Sequence, residues 1–204
     1  NQNLLKAMIR NGLDGAAPAP PIKISSTENE RLDYVNSLEP VYQGVFKTVF
    51  SSTELPINIE SETKTIIGED GNEIKIYISK PKDMSEDIPA ILHLHGGGMA
   101  ILSANDTNFI YWRHKLASKG LVVLGVEFRN IGGAQGNHPF PAGLNDCISA
   151  LKWVYENKKE LGISKIILSG ESGGGNLSIA TTLKAKQDGI VNYIDGVYAQ
   201  CPYI

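Results

Sequence analysis

One junction constrains this chain more than any other feature. The apolar run Ile166-Ile167-Leu168 leads into Gly170-Glu171-Ser172-Gly173-Gly174-Gly175, and a helical pattern leaves it. A strand that turns at once into a helix needs small residues, because the two elements pack closely around the turn. The residue at the apex takes an unfavourable backbone conformation. Gly-x-Ser-x-Gly at such a turn is the spacing that presents a nucleophilic hydroxyl. A glycine-rich junction with an incidental serine has the same letters, so context must decide.

The context is an alternation of strands and helices. Residues 63–67 and 73–79 read as strands joined by Asp70-Gly71-Asn72, a hairpin signal. Residues 88–95 form a largely apolar, buried strand, and 121–126 another. A helix is expected over 106–119, ended by Gly120. Over 142–160, Leu144, Cys147, Ile148, Leu151, Val154 and Tyr155 mark one helical face. A strand at 164–169, a helix at 173–187 and a strand at 193–200 follow. This order predicts an α/β fold, with a mostly parallel central sheet covered by helices on both faces. Upstream, residues 1–13 read as a short amphipathic helix and 15–21 as a breaker-rich linker. Leu32, Val35, Leu38, Val41, Val45 and Val49 recur at helical spacing across 26–50. Pro40 within that stretch predicts two helices or one kinked helix.

A second motif, His95-Gly96-Gly97-Gly98, follows the buried strand 88–95. Glycines there let backbone N–H groups approach a substrate with no Cβ in the way, which suits the stabilisation of a developing oxyanion. A phosphate-cradling loop is disfavoured, since no Gly-Lys-Ser/Thr follows. His93 and His95 lack further ligands in a recognisable metal spacing. His95 is expected to brace its loop by hydrogen bonds. The expectation is therefore no metal and no organic cofactor. The net charge of −3, with no Lys/Arg block, gives no reason to expect nucleic acid. No apolar run approaches the roughly 20 residues that span a bilayer, so no membrane is expected. The start of the chain does not read as a secretory signal. Cys147 and Cys201 read as buried free thiols of a reducing compartment, which predicts a cytoplasmic location.

With both motifs in order, the chain resembles the α/β-hydrolase fold, and within it the hormone-sensitive-lipase-like esterases. Three stretches carry the resemblance: His95-Gly96-Gly97-Gly98, the elbow from Gly170 through Asn176, and His138-Pro139-Phe140-Pro141-Ala142 with the helix after it. The likeness implies an N-terminal helical cap and linker over 1–55. It implies the N-terminal part of a catalytic domain over 56–204, with the C-terminal strands missing from this chain. It also implies a serine carboxylic-ester hydrolase that acts through an acyl-enzyme on a small or medium ester or lactone. Ser172 would be the nucleophile, the N–H groups of Gly97, Gly98 and Gly173 the oxyanion donors, and Met99 a wall of the substrate pocket. Arg129, His138, Asp146 and Glu171 read as scaffold, and neither Asp188 nor Asp195 reads as a triad acid. Tyr34, Tyr42, Phe46 and Phe50 read as helix-packing residues rather than as the lining of an acyl pocket.

The chain departs from the family in three places. Phe128-Arg129-Asn130-Ile131-Gly132-Gly133 stands near the usual Tyr-Arg-Leu-Ala-Pro-Glu. Gly173 stands where Ala is common. No histidine follows Ser172, although the family order is Ser, then Asp or Glu, then His. A further C-terminal polypeptide segment is therefore expected as a partner that completes the sheet and the triad. The alternative reading is a non-catalytic, receptor-like member of the same fold that binds a small molecule.

Overall fold

The computed structural model describes residues 2–10, 12, 14, 15 and 19–204. Residues 1, 11 and 13 of the first expected helix, and 16–18 of the linker, lie outside the described residues. Helix α1 spans Gln2–Arg10 and α2 spans Glu28–Phe50. Strands β1 (Ile59–Ile67), β2 (Glu73–Pro81) and β3 (Ile88–Leu94) follow. Then come α3 (Thr107–Ala117), β4 (Val122–Val126), α4 (Ala142–Glu156) and the single turn α5 (Lys158–Leu161). The order closes with β5 (Ile163–Glu171), α6 (Gly173–Gln187) and β6 (Gly196–Gln200).

The six strands form one sheet in the order β1-β2-β4-β3-β5-β6. Pairings β3–β4, β3–β5 and β5–β6 are parallel. The hairpin β1–β2 is antiparallel and joins the rest through an antiparallel β2–β4 pair. The sheet is thus mixed, with its parallel part at the chemically interesting end. Every residue of β4 is buried, as expected for a strand covered on both faces. Ile74, Ile76, Ile78, Leu92, Leu94 and Leu124 are at most 1% exposed and form the centre of the core. Arg129 clamps the hairpin turn to α4: its guanidinium meets Asp146 at 2.8 Å and Asp70 at 2.6 Å.

Of the two forms expected for 26–50 the single helix is observed, while several other boundaries differ from the expectation. Helix α2 is a single helix with Pro40 inside it. It starts from a capping box in which Thr27 Oγ1 accepts from the Glu30 N–H, while the Glu30 carboxylate accepts from the Thr27 N–H. Helix α4 stops at Glu156, and Gly162, at φ +67°, ends the turn after it. Strand β6 begins at Gly196, because residues 191–193 form a 3-10 turn. Asp195 then pins the strand: its N–H donates to the Ile166 carbonyl and its Oδ2 accepts from the Ile166 N–H, at 2.8 Å each. Val197 and Tyr198 of β6 are 43% and 60% exposed, and Cys201 just after the strand is exposed rather than buried as expected, whereas Cys147 is buried in α4. No helix of the described residues is long and apolar enough to cross a membrane.

Candidate active site

Strand β5 delivers Ser172 to the C-terminal end of the parallel strands. Ser172 sits at φ 52°, ψ −117°, a region that L-residues rarely adopt. Neighbouring backbone holds it there. Its N–H donates to the Gln200 carbonyl at 2.9 Å, and its carbonyl accepts from Asn176 and Tyr203 at 3.0 Å each. The flanking glycines are required by contact. A Cβ on Gly170 would overlap the Gly174 carbonyl, and one on Gly174 would overlap the Leu94 carbonyl oxygen. Ser172 is exposed, and its side chain makes no capping bond to α6. The hydroxyl is therefore free for chemistry.

The glycine loop lies against this elbow. Gly97 and Gly98 have φ of +109° and +66°. The Gly97 carbonyl accepts from Ala100 at 3.0 Å and Ile101 at 3.2 Å, which curls the loop. Among the described residues, the N–H groups of Gly97, Gly98 and Gly173 enter no loop or turn hydrogen bond. Gly173 and Gly98 touch: a Cβ on Gly173 would lie 2.7 Å from Gly98 Cα and 2.8 Å from its nitrogen. That contact explains the glycine after Ser172, since an alanine would push the loop away. Gly97, Gly98 and Ser172 thus border one cavity, with Gly173 in contact with Gly98.

His95 braces the loop from beneath. It is fully buried, its ring stacks on Phe128 with centroids 4.1 Å apart, and Nδ1–H donates to the Gly96 carbonyl at 2.7 Å. Burial pushes its pKa down to about 4, and that of the neighbouring His93 to about 3. Both are neutral in the folded protein at pH 7. The unfolded imidazoles take up protons near pH 6.5, whereas the folded ones do not until about pH 4 or below. The unfolded state therefore binds more protons across this window, and stability falls as pH falls from about 6.5 toward 4. Each histidine is expected to cost on the order of 1 kcal/mol by pH 5.5. Urea midpoints at pH 7.5 and 5.5 measure this, and His95→Gln should shrink the difference.

A cavity of about 370 Å³ opens beside Ser172. Gly96, Gly97, Gly98, Ile101, Leu102, Phe109 and Glu171 form one side, and Val35, Leu38, Tyr42 and Phe46 of α2 close the other. Tyr42 and Phe46 thus line the cavity instead of serving only as packing. Phe50 turns aside onto Tyr111, with centroids 5.1 Å apart, and Tyr34 is not in the lining. The spacing 35, 38, 42, 46 is one helical stripe, and it carried this signal in the sequence. Glu171 is the charged group in the lining, and burial raises its pKa. Met99 is not in this cavity. It lines a second one of about 380 Å³, with Arg129, Ile131, His138, Phe140 and Asn176, and Gly98 borders both.

The remaining polar residues are engaged elsewhere. His114 Nε2 lies 3.1 Å from Ser61 Oγ, and His93 Nδ1 lies 3.4 Å from Ser169 Oγ. Asp188 pairs with Lys184 at 2.5 Å at the end of α6. Asp195 holds β6 to β5. No group of three or more His, Cys, Asp or Glu among the described residues is placed to hold a metal ion.

Comparison with known proteins agrees with this geometry. A family model described as alpha/beta hydrolase fold matches residues 91–204. The chain superposes on brefeldin A esterase, a bacterial homologue of human hormone sensitive lipase, with a TM-score of 0.87 and 41% identity. That match covers 100% of this chain and 57% of the esterase. The structure of esterase Est22 matches with a TM-score of 0.83 and 35% identity, over 97% of this chain and 60% of Est22. Carboxylesterase NlhH of Mycobacterium tuberculosis is 32% identical over 139 residues, which is 67% of this chain and 42% of NlhH. The chain spans about half the length of the relatives it matches. With Ser172 on its strained turn against the glycine loop, the chain belongs to the alpha/beta hydrolase fold family, and the relatives it is similar to include a carboxylesterase and a homologue of hormone sensitive lipase.

Proposed function

We propose that this protein hydrolyses carboxylic esters through a covalent acyl-enzyme on Ser172. One observation carries the reading: an exposed serine, held at φ 52°, abuts a glycine loop with unspent N–H groups. In this reaction the Ser172 hydroxyl attacks the ester carbonyl while a histidine takes its proton. The N–H groups of Gly97, Gly98 and Gly173 receive the oxyanion. Collapse breaks the ester C–O bond, the leaving oxygen takes that proton from the histidine and departs as the alcohol, and water then releases the acid. The route needs no metal or organic cofactor.

The histidine and its carboxylate partner belong, in this reading, to polypeptide that follows Ile204 and lies along β6. The family order and the engagement of His93, His95 and His114 away from Ser172 support this, as do the open faces of Val197 and Tyr198. The substrate is a small or medium ester or lactone, and its partner groups divide across Gly98. The apolar cavity under α2 suits the acyl chain, and the cavity at Met99 and His138 suits the other half.

A series of p-nitrophenyl esters from acetate to decanoate tests the reading on the full-length protein. The expected result is a burst of p-nitrophenol equal to the enzyme concentration, strongest for short and medium chains. Tight ester binding with no alcohol release would instead place the chain with receptor-like members of the fold.

A further inference from the structure

The glycine loop does not hold its shape alone. Met99, at φ +61°, and Leu102, at φ +77°, flank its outer end in a conformation that non-glycine residues rarely adopt. Such strain costs about 1–3 kcal/mol per residue and persists only where the surroundings over-determine it. What restrains Leu102 comes from the cap. Helix α2 buries a single residue, and that residue is a glutamate: Glu39 is 7% exposed. Its two carboxylate oxygens accept from two different loops. Oε1 takes the Leu102 N–H at 2.7 Å and Oε2 takes the Ala134 N–H at 2.7 Å. One turn earlier, Asn36 Oδ1 accepts from the Gly133 N–H at 2.8 Å. The loop at 130–134 in turn grips the glycine loop. Asn130 Nδ2–H donates to the Leu102 carbonyl at 2.8 Å, and the Ile131 N–H donates to the Met99 carbonyl at 3.0 Å.

We propose that Glu39 is a positioning residue that sets the oxyanion donors by tying the cap helix to both loops; this rests on the reading of Ser172 and the glycine loop as an ester-hydrolysing site. A buried carboxylate in a mostly surface helix is costly unless each oxygen is well bonded. Charge-assisted bonds to two backbone N–H groups are of the strong kind. The departure of 130–133 from the family's usual sequence fits this arrangement. A Cβ on Gly133 would lie 2.7 Å from Glu39 Oε1, so a glycine there lets the loop close around the carboxylate. The glutamate and the glycine form one device, and what it fixes is the far end of the loop that begins at Gly97.

Kinetics of the full-length protein separate this role from plain cap packing. Glu39→Gln keeps the shape but turns an NH₂ toward one of the two N–H donors. Gly133→Ala leaves the glutamate in place and drives a methyl against it. Displacing catalytic donors by about 1 Å can cost roughly 100-fold, so a loss of about tenfold or more in kcat is expected for each variant, with KM within twofold. A trifluoromethyl ketone, which adds to the serine hydroxyl to form a tetrahedral oxyanion, should lose affinity by the same factor. The inference is overturned if either variant, folded by circular dichroism, keeps parental kcat and inhibitor affinity. It is equally overturned if KM rises with kcat unchanged, because that marks a cap that only shapes the pocket. If one variant does not fold, the other decides. Ser172→Ala, run beside them, isolates the underlying reading. Residual parental turnover in Ser172→Ala removes the site itself, whereas an inactive Ser172→Ala with unaffected Glu39→Gln and Gly133→Ala removes only the latch.

Discussion

Ser172→Ala is expected to lower kcat for p-nitrophenyl butyrate by roughly 10⁴-fold or more, with KM little changed. The substitution removes one oxygen from an exposed position, so neither core packing nor a structural hydrogen bond is lost. The backbone bonds from Gln200, Asn176 and Tyr203 still hold residue 172 on its turn. The cavity under α2 stays intact, and ground-state binding stays with it. What remains is the contribution of the oxyanion donors to attack by water, which is small beside acyl-enzyme formation. Steady-state kinetics with intact-mass verification checks this, and turnover within tenfold of the parent would remove Ser172 from the mechanism.

The second large effect is a contrast between adjacent glycines. Gly97→Ala is expected to cost about 100- to 1,000-fold in kcat, the usual loss for one oxyanion donor. The reason is geometric: at φ +109° a Cβ on Gly97 overlaps the Ile101 carbonyl oxygen, so the loop must uncurl and carry its N–H groups away. Gly98→Ala has no such neighbour. At φ +66° its Cβ meets nothing within 4 Å. The cost there is the left-handed conformation itself, about 1–2 kcal/mol of stability. The N–H stays in place, so kcat should hold within about tenfold, and any change in KM reflects the methyl entering space shared by the two cavities. Equal losses in both variants would mean that the loop shape is not what matters.

Much of this was legible because the motifs are local. The elbow needs glycine at 170 and 174 for contacts within a few residues or with the adjacent strand, so the letters alone imply the turn. The hairpin at 70–72 and the buried strands β3 and β4 follow from turn chemistry and apolar runs in the same way. Sheet order was not legible, because the antiparallel joint between β2 and β4 depends on pairing across the fold. Pro40 read as a break between two helices or a kink within one. The structure keeps the helix continuous around Glu39, which is anchored to both loops beside the site. Tyr42 and Phe46 read as packing since a cavity lining and a core face share the same helical stripe. Met99 read as a wall of the Ser172 cavity, yet it lines the second one, with its backbone at φ +61°, a conformation that its letter does not announce. Glu39 gave no signal at all. A glutamate in a helix reads as solvent-facing until the loops that cover it are in place.

The central claim is that Ser172 is an activated nucleophile facing oxyanion donors. Its most direct test is labelling of the full-length protein with a fluorophosphonate, followed by digestion and peptide mass mapping. The account predicts one stoichiometric adduct, on the peptide that contains Ser172, formed in step with loss of esterase activity. An adduct on another residue, or full activity with Ser172 unlabelled, would contradict it.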